Sequence, residues 1–274
     1  MRSILFFACC FIIGHTIAQT DSLASKFPKD SGYLSSFDGT KIYYEVRGKG
    51  KPVLLLHGFI VNGSSWKRAP LYADLLNAGY KVIVPDMRGN GKSDKPHDST
   101  AYDNDAEAKD IMQLMALLKV TQYSVVGYSR GSIITARLLA LDKHVQTAVM
   151  GGMGTDFTNP LWPRRVMFYR ALMGDSIPEL KAMVGYVQQQ KLDQLALAYL
   201  QRSQPSTPKE VLSKVTQPVL VICGSEDTDN GSAGDLAKLL HKSMLATIPG
   251  DHNHASATAE FSKEVVRFLQ QHNY

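Results

Sequence analysis

Ser129 lies between two glycines in the stretch Gly127-Tyr128-Ser129-Arg130-Gly131, after the apolar run YSVVG and before the helical pattern SIITARLLA. A serine on a sharp strand-to-helix turn needs neighbours without side chains, because the backbone folds closely on itself there. Such a turn exposes the serine hydroxyl. A Gly-x-Ser-x-Gly pattern often arises by chance, but this one stands between a Val-rich strand and a helix. The position therefore predicts that Ser129 is a nucleophile.

A serine hydroxyl attacks poorly unless a base removes its proton and an acid orients that base. Two later segments supply both groups just after predicted strands: Asp227 follows PVLVICGSE, and His252 follows MLATIP. We predict Asp227 as the acid and His252 as the base. Glu226 and Asp229 are rival carboxylates, and His254 could instead line the pocket or lie in solvent.

Acyl transfer at such a serine produces an oxyanion, which needs preorganised hydrogen-bond donors. The backbone N–H of Arg130, at the start of the predicted helix, is one candidate. The second is the backbone N–H of Phe59, because Gly58 lets the chain turn after its strand in LLLHGF. His57 is predicted to fix this loop rather than to act as a second base. The chemistry requires neither a metal nor an organic cofactor.

The candidate residues are spread over a pattern of short apolar runs that alternate with amphipathic, helix-like segments. Continuous Val, Ile and Leu runs indicate strands buried on both faces of a parallel sheet, and their alternation with helices predicts an α/β domain with helices on both faces. Ligands bind at the carboxyl ends of such strands, where every candidate residue falls. The runs cover residues 52–57, 81–86, 123–127, 145–151, 218–224 and 244–250, preceded by a predicted hairpin strand at 41–48.

Residues 155–212 break this alternation and are predicted to form a helical lid over the strand ends, within a single domain of residues 19–274. The alternative is that these helices simply cover one face of the sheet. The segment LKAMVGYVQQQKLDQLALAYLQ has helical spacing. Four of the segment's large side chains could line an apolar pocket or serve ordinary packing: Trp162, Phe168, Tyr169 and Met173.

The first 18 residues have the build of a secretory signal peptide, with one positive charge before an apolar stretch that is too short to span a membrane. We expect cleavage after Ala18 and an exported protein. Cys9 or Cys10 would permit a lipid-anchored start, although the neighbouring phenylalanines suit such a site poorly. After cleavage only Cys223 remains, and its apolar run predicts a buried side chain. Residues 19–32 are polar and predicted to form a mobile leader.

The formal net charge is +5, and the lysines and arginines are scattered along the chain. This pattern argues against a nucleic-acid or anionic-membrane partner and leaves a small molecule as the expected substrate. The sequence does not predict the oligomeric state.

Together these segments resemble the α/β-hydrolase superfamily over nearly all of the chain after the leader. The matching elements are HGF at 57–59, DMRGNGKS at 86–93, GYSRG at 127–131, GSED at 224–227 and GDH at 250–252. The resemblance implies Ser129 as nucleophile, Asp227 as acid, His252 as base, and backbone donors at Phe59 and Arg130. It also implies a structural role for residues 86–93. Many relatives carry a proline a few residues after the acid, whereas this chain has TDNGS, which leaves the choice among the acidic residues open.

The reaction expected first is cleavage of a carboxylic ester through an acyl-enzyme. The resemblance implies that epoxide hydrolases and dehalogenases use an aspartate at the position of Ser129, so this serine argues against them. Carbon–carbon bond hydrolases, lactonases, thioesterases, aminopeptidases and perhydrolases remain compatible. A ligand-binding protein that keeps the fold is the non-catalytic alternative.

Overall fold

The computed structural model describes Phe27 and residues 29–272. The predicted signal peptide, its cleavage site after Ala18, and Cys9 and Cys10 lie outside the described residues. Within the described part, no helix is long and apolar enough to cross a bilayer.

A mostly parallel sheet of eight strands forms the centre of the described chain, in the order β1-β2-β4-β3-β5-β6-β7-β8. Strand β2 pairs antiparallel with β1 and β4, and the pairings among β3 to β8 are parallel. The strands are β1 Lys29–Ser35, β2 Lys41–Arg47, β3 Pro52–Leu56, β4 Lys81–Pro85, β5 Tyr123–Tyr128, β6 Val145–Gly151, β7 Val219–Gly224 and β8 Ser243–Ile248.

The predicted fold class is confirmed, and the six apolar runs form strands β3 to β8. Every residue of β5 and β7 is buried, as the continuous apolar pattern predicts. Strand β8 is more exposed because it lies at the sheet edge, and Leu245 is 52% exposed.

The prediction of a polar leader over residues 19–32 is wrong for residues 29–32, which belong to β1. This strand lies at the other edge of the sheet, where one residue alone, Leu34, is buried. Because almost all of its side chains are exposed, this edge strand lacks the alternation of apolar and polar residues by which a strand is predicted.

Helices cover both faces of the sheet, and the alternation of side chains along each strand divides the core into two. In β3, Leu54 and Leu56 pack into one apolar cluster, while Val53 and Leu55 pack into the other. The helices are α1 Ser64–Arg68, α2 Pro70–Asn77, α3 Ala106–Leu117, α4 Arg130–Leu141, α5 Pro163–Leu172, α6 Lys181–Gln189, α7 Gln194–Arg202, α8 Lys209–Leu212, α9 Ala233–Leu239 and α10 Ala259–Gln271. Helices α3, α4 and α9 face the first cluster, and α1, α2 and α10 face the second.

Helices α5 to α8 lie between β6 and β7, and α5, α6 and α7 share a third apolar cluster that is separate from the two sheet cores. The helical spacing predicted over residues 180–201 is divided in the structure into α6 and α7. Lys191 adopts a left-handed backbone with φ of 51°, and Asp193 then caps α7 by accepting a hydrogen bond from the backbone N–H of Ala196. A helix start signal inside a continuous periodic pattern accounts for the break.

Candidate active site

Ser129 stands at the junction of β5 and α4 with a strained backbone, φ 54° and ψ −120°. The two flanking glycines permit this conformation by leaving room for close backbone contacts. A Cβ atom on Gly127 would lie 2.3 Å from the carbonyl oxygen of Gly131, and one on Gly131 would lie 2.2 Å from the carbonyl oxygen of Leu56. Strain of this kind is concentrated at functional sites, where it holds a side chain in a required direction.

The structure brings Ser129, His252 and Asp227 together, although they are far apart along the chain. The Nε2 atom of His252 lies 2.8 Å from Oγ of Ser129. Its Nδ1 atom lies 2.9 Å from Oδ2 of Asp227. The Asp227 side chain is 3% exposed and that of His252 is 15% exposed. A buried carboxylate behind a partly accessible imidazole is the arrangement that lets the imidazole accept a proton from the serine.

The rival residues have other partners or are exposed, although Asp229 also lines the cavity beside Ser129. Glu226 is exposed, and Asp229 forms an ion pair with Arg164 at 3.2 Å. His254 has a 63% exposed side chain, and its Nδ1 atom contacts Asp251 at 2.7 Å. Among the three candidate acids it is therefore Asp227 that contacts the imidazole.

The two predicted backbone donors flank the serine. A Cβ atom on Gly58 would lie 3.5 Å from Cβ of Ser129, so the loop that carries Phe59 passes beside the serine side chain. Within residues 29–272, the backbone N–H groups of Phe59 and Arg130 have no hydrogen-bond acceptor. Two free N–H groups beside one serine can stabilise an oxyanion.

His57 fixes the loop, as the sequence analysis predicted. Its Nε2 accepts a hydrogen bond from the backbone N–H of Met87 at 3.0 Å, and its Nδ1 lies 2.8 Å from the carbonyl oxygen of Gly58. The ring is therefore neutral, with its proton on Nδ1. Burial lowers the pKa of His57 below the ordinary value and stabilises the same neutral form.

Tyr128 is a supporting residue that the sequence reasoning did not single out. Its hydroxyl donates to the carbonyl oxygen of His252 at 2.7 Å. Its ring also packs on the imidazole, with centroids 5.6 Å apart. The motif GYSRG contains this residue, but a contact across 124 positions leaves no local signal in the sequence.

The Arg130 side chain anchors the start of α4. It forms a two-pronged ion pair with Glu107 of α3, and both side chains are buried. Its Nη2 atom also lies 3.3 Å from the carbonyl oxygen of Leu200 in α7. The residue after the nucleophile thus ties the turn both to the sheet-covering helices and to the lid segment.

A cavity of about 150 Å³ opens beside the Ser129 hydroxyl, between the strand ends and helices α5 to α7. Of the four large side chains that the sequence analysis considered, Trp162 and Phe168 line it. Tyr169 packs instead within the third apolar cluster, and Met173 is 48% exposed. The walls also carry polar side chains, namely Arg164, Arg165, Gln201, Gln204, Asp229, Asn230 and Asn253. Of these, Asp229 alone was considered from the sequence.

Cys223 and the grouping of potential metal ligands also bear on the chemistry of the site. Cys223 is buried, as predicted, and burial raises the pKa of its thiol to about 11, so it stays protonated at neutral pH. In the part of the chain that the structure describes, no three His, Cys, Asp or Glu side chains are grouped so as to hold a metal ion.

A family profile described as the alpha/beta hydrolase fold matches residues 51–179. An esterase of known structure from Rhodococcus sp. ECU1013 superposes with a TM-score of 0.68 and 26% identity, covering 89% of this chain and 99% of that one. The chain belongs to the α/β-hydrolase fold superfamily.

Two relatives in this superfamily carry different activities in their names. A protein of Synechocystis sp. assigned as a non-heme chloroperoxidase is 44% identical over 111 residues, which cover 40% of this chain and 39% of that protein. An epoxide hydrolase of Caballeronia sordidicola is 33% identical over 100 residues, covering 36% of this α/β hydrolase and 30% of that protein. The matches thus span about two fifths or less of the length of these relatives.

Proposed function

We propose that this α/β hydrolase cleaves small carboxylic esters through an acyl-enzyme formed on Ser129. The observation that carries the proposal is the continuous contact from Ser129 Oγ through the His252 imidazole to Asp227, at 2.8 and 2.9 Å. The size of the adjoining cavity supports a small substrate, because a cavity of this volume accepts a benzene-sized group.

In the proposed reaction, Ser129 Oγ attacks the ester carbonyl while His252 Nε2 takes the hydroxyl proton. Asp227 holds the resulting imidazolium, and the backbone N–H groups of Phe59 and Arg130 stabilise the oxyanion. His252 then gives its proton to the leaving alcohol. Water attacks the acyl-enzyme by the same route in reverse and releases the acid.

The test is turnover of short-chain p-nitrophenyl esters by the purified protein and its variants. Ser129→Ala and His252→Asn are each expected to lower kcat by about 10⁴-fold or more. His254→Asn is the matched control, since this exposed histidine two residues away contacts Asp251 and not the serine. Equal rates for wild type and Ser129→Ala would refute the proposal.

Covalent labelling separates an enzyme from a ligand-binding protein that keeps the fold. A fluorophosphonate is expected to attach to wild type in a one-to-one ratio and to leave Ser129→Ala unlabelled. A wild-type protein that binds ester without product in excess over enzyme would favour the non-catalytic alternative.

Perhydrolysis is a second candidate, favoured by the 44% identity with the protein assigned as a non-heme chloroperoxidase. Hydrogen peroxide would attack the acyl-enzyme in place of water, so that the acyl group leaves as a peroxy acid and Ser129 regains its proton. Bromide oxidation in the presence of acetate and peroxide measures this reaction. Its dependence on Ser129 distinguishes it from oxidation by peroxide alone.

A further inference from the structure

Arg165 is a cation in the wall of the cavity beside Ser129, and no carboxylate in the described part of the chain pairs with it. Its Nη1 atom donates to the backbone carbonyl of Gln204 at 2.9 Å. Burial lowers the pKa of this guanidinium, with no acidic neighbour to oppose the shift, yet an arginine stays charged in any protein. The adjacent Arg164 differs, because Asp229 neutralises it.

Two glutamines complete this part of the wall. Gln201 and Gln204 are 5% and 6% exposed, and both line the cavity. Neither side-chain amide makes a hydrogen bond to another described residue. Neither amide is among the buried unpaired side-chain atoms of the described chain, so both amides are open to the cavity. Two unpaired amides next to an unpaired cation offer several hydrogen-bond donors to a ligand that carries several acceptors.

We propose that Arg165, with the Gln201 and Gln204 amides, binds a carboxylate of the substrate, so that the esters cleaved are half-esters of short dicarboxylic acids. A guanidinium binds a carboxylate through two parallel hydrogen bonds, and an amide N–H adds a third donor. The cavity volume is sufficient for an acyl part of about the size of a succinyl group. This inference rests on the proposed ester hydrolysis and specifies its substrate class.

The experiment compares monoethyl succinate with ethyl pentanoate, which has similar length and no charge, by measuring ethanol release. Wild type is expected to prefer the charged ester by about 10- to 100-fold in kcat/KM, the range of one charge-assisted hydrogen-bond pair. In Arg165→Gln this ratio is expected to fall close to one, and Arg165→Lys is expected to retain part of it. Equal kcat/KM for both esters in wild type, or an unchanged ratio in Arg165→Gln, overturns the inference.

Arg170→Gln is the matched control for net charge. Arg170 lies on the same helix, α5, but pairs with Asp175 and does not line the cavity. Its variant is expected to keep the wild-type ratio between the two esters. A ratio that falls equally in both variants would mean that long-range charge, and not contact, causes the preference, and would overturn the inference.

Binding separates this inference from the proposed function. If wild type cleaves neither ester, the proposed function fails, and calorimetry on Ser129→Ala still tests the carboxylate site. Monoethyl succinate is expected to bind this variant at least about tenfold more tightly than it binds the double variant that also carries Arg165→Gln. Equal affinities for the two proteins would overturn the inference independently of catalysis.

Discussion

Gly131→Ala tests whether the tight strand-to-helix turn holds the candidate nucleophile in place. The new Cβ atom would lie 2.2 Å from the Leu56 carbonyl oxygen, about 0.8 Å inside the 3.0 Å limit that real Cβ contacts respect. Leu56 ends the central strand β3 and cannot retreat, so the start of α4 must move instead. Overpacking of this kind costs about 1–3 kcal/mol, occasionally more, while alanine recovers about 1 kcal/mol of helix propensity. Because backbone contacts cannot relax as a side chain does, we expect a net loss of about 2 kcal/mol.

Thermal unfolding and ester turnover measure the two consequences of Gly131→Ala. A loss of about 2 kcal/mol lowers Tm by roughly 4–8 °C in a chain of this size. A shift of about 1 Å at the Arg130 N–H is expected to lower kcat/KM by about 100-fold.

Gly185→Ala in α6 is the matched control for this variant. A Cβ atom at Gly185 meets nothing within 4 Å, so this variant is expected to gain up to about 1 kcal/mol and to keep full activity. The argument for the turn fails if the two alanine variants have the same stability and the same kcat/KM.

Two further predictions concern buried ionisable groups. Glu107→Ala leaves the Arg130 guanidinium buried without its partner and is expected to lower the free energy of unfolding by about 3–5 kcal/mol, measured by urea unfolding. Asp235→Ala removes an exposed ion pair with Lys238 and is the control, expected to leave the urea midpoint nearly unchanged. Because burial depresses the pKa of His57 below 6.5, the unfolded chain takes up a proton that the folded chain does not. The stability is therefore expected to fall as the pH drops below 6.5, by up to about 1.4 kcal/mol per pH unit. His57→Gln should remove that slope, and an identical slope in this variant would contradict the assignment.

The sequence predicts the sheet well where strands are buried on both faces, because their apolar runs have no other explanation. The sequence does not predict β1, because only one residue of this strand is buried and no apolar alternation results. It also does not predict the break between α6 and α7, because the helical spacing of apolar residues continues through Lys191. At β1 the pairing with a neighbouring strand decides the structure, whereas at the α6–α7 break a local cap at Asp193 overrides the helical period.

The candidate site divides in the same way. Ser129, Asp227 and His252 can be predicted because each follows an apolar run that forms a parallel strand, and parallel strands bring their ends to one edge of the sheet. The hydrogen bond from Tyr128 to the His252 carbonyl and the position of Arg165 depend on how distant segments meet. Arg164 forms an ion pair with Asp229, whereas Arg165 has no acidic partner. The sequence cannot distinguish these two adjacent arginines, because the difference depends on where Asp229 lies in the fold.

The separate apolar cluster of α5 to α7 has a consequence for how new specificities can arise in this protein. These helices are stabilised largely by one another, while the proton-transfer groups sit on loops held by the sheet. Exchange of residues 155–212 can therefore replace the recognition surface and leave the reacting atoms where they are. A replacement segment would also have to supply a hydrogen-bond acceptor for the Arg130 guanidinium, because the Leu200 carbonyl oxygen accepts from it in this protein.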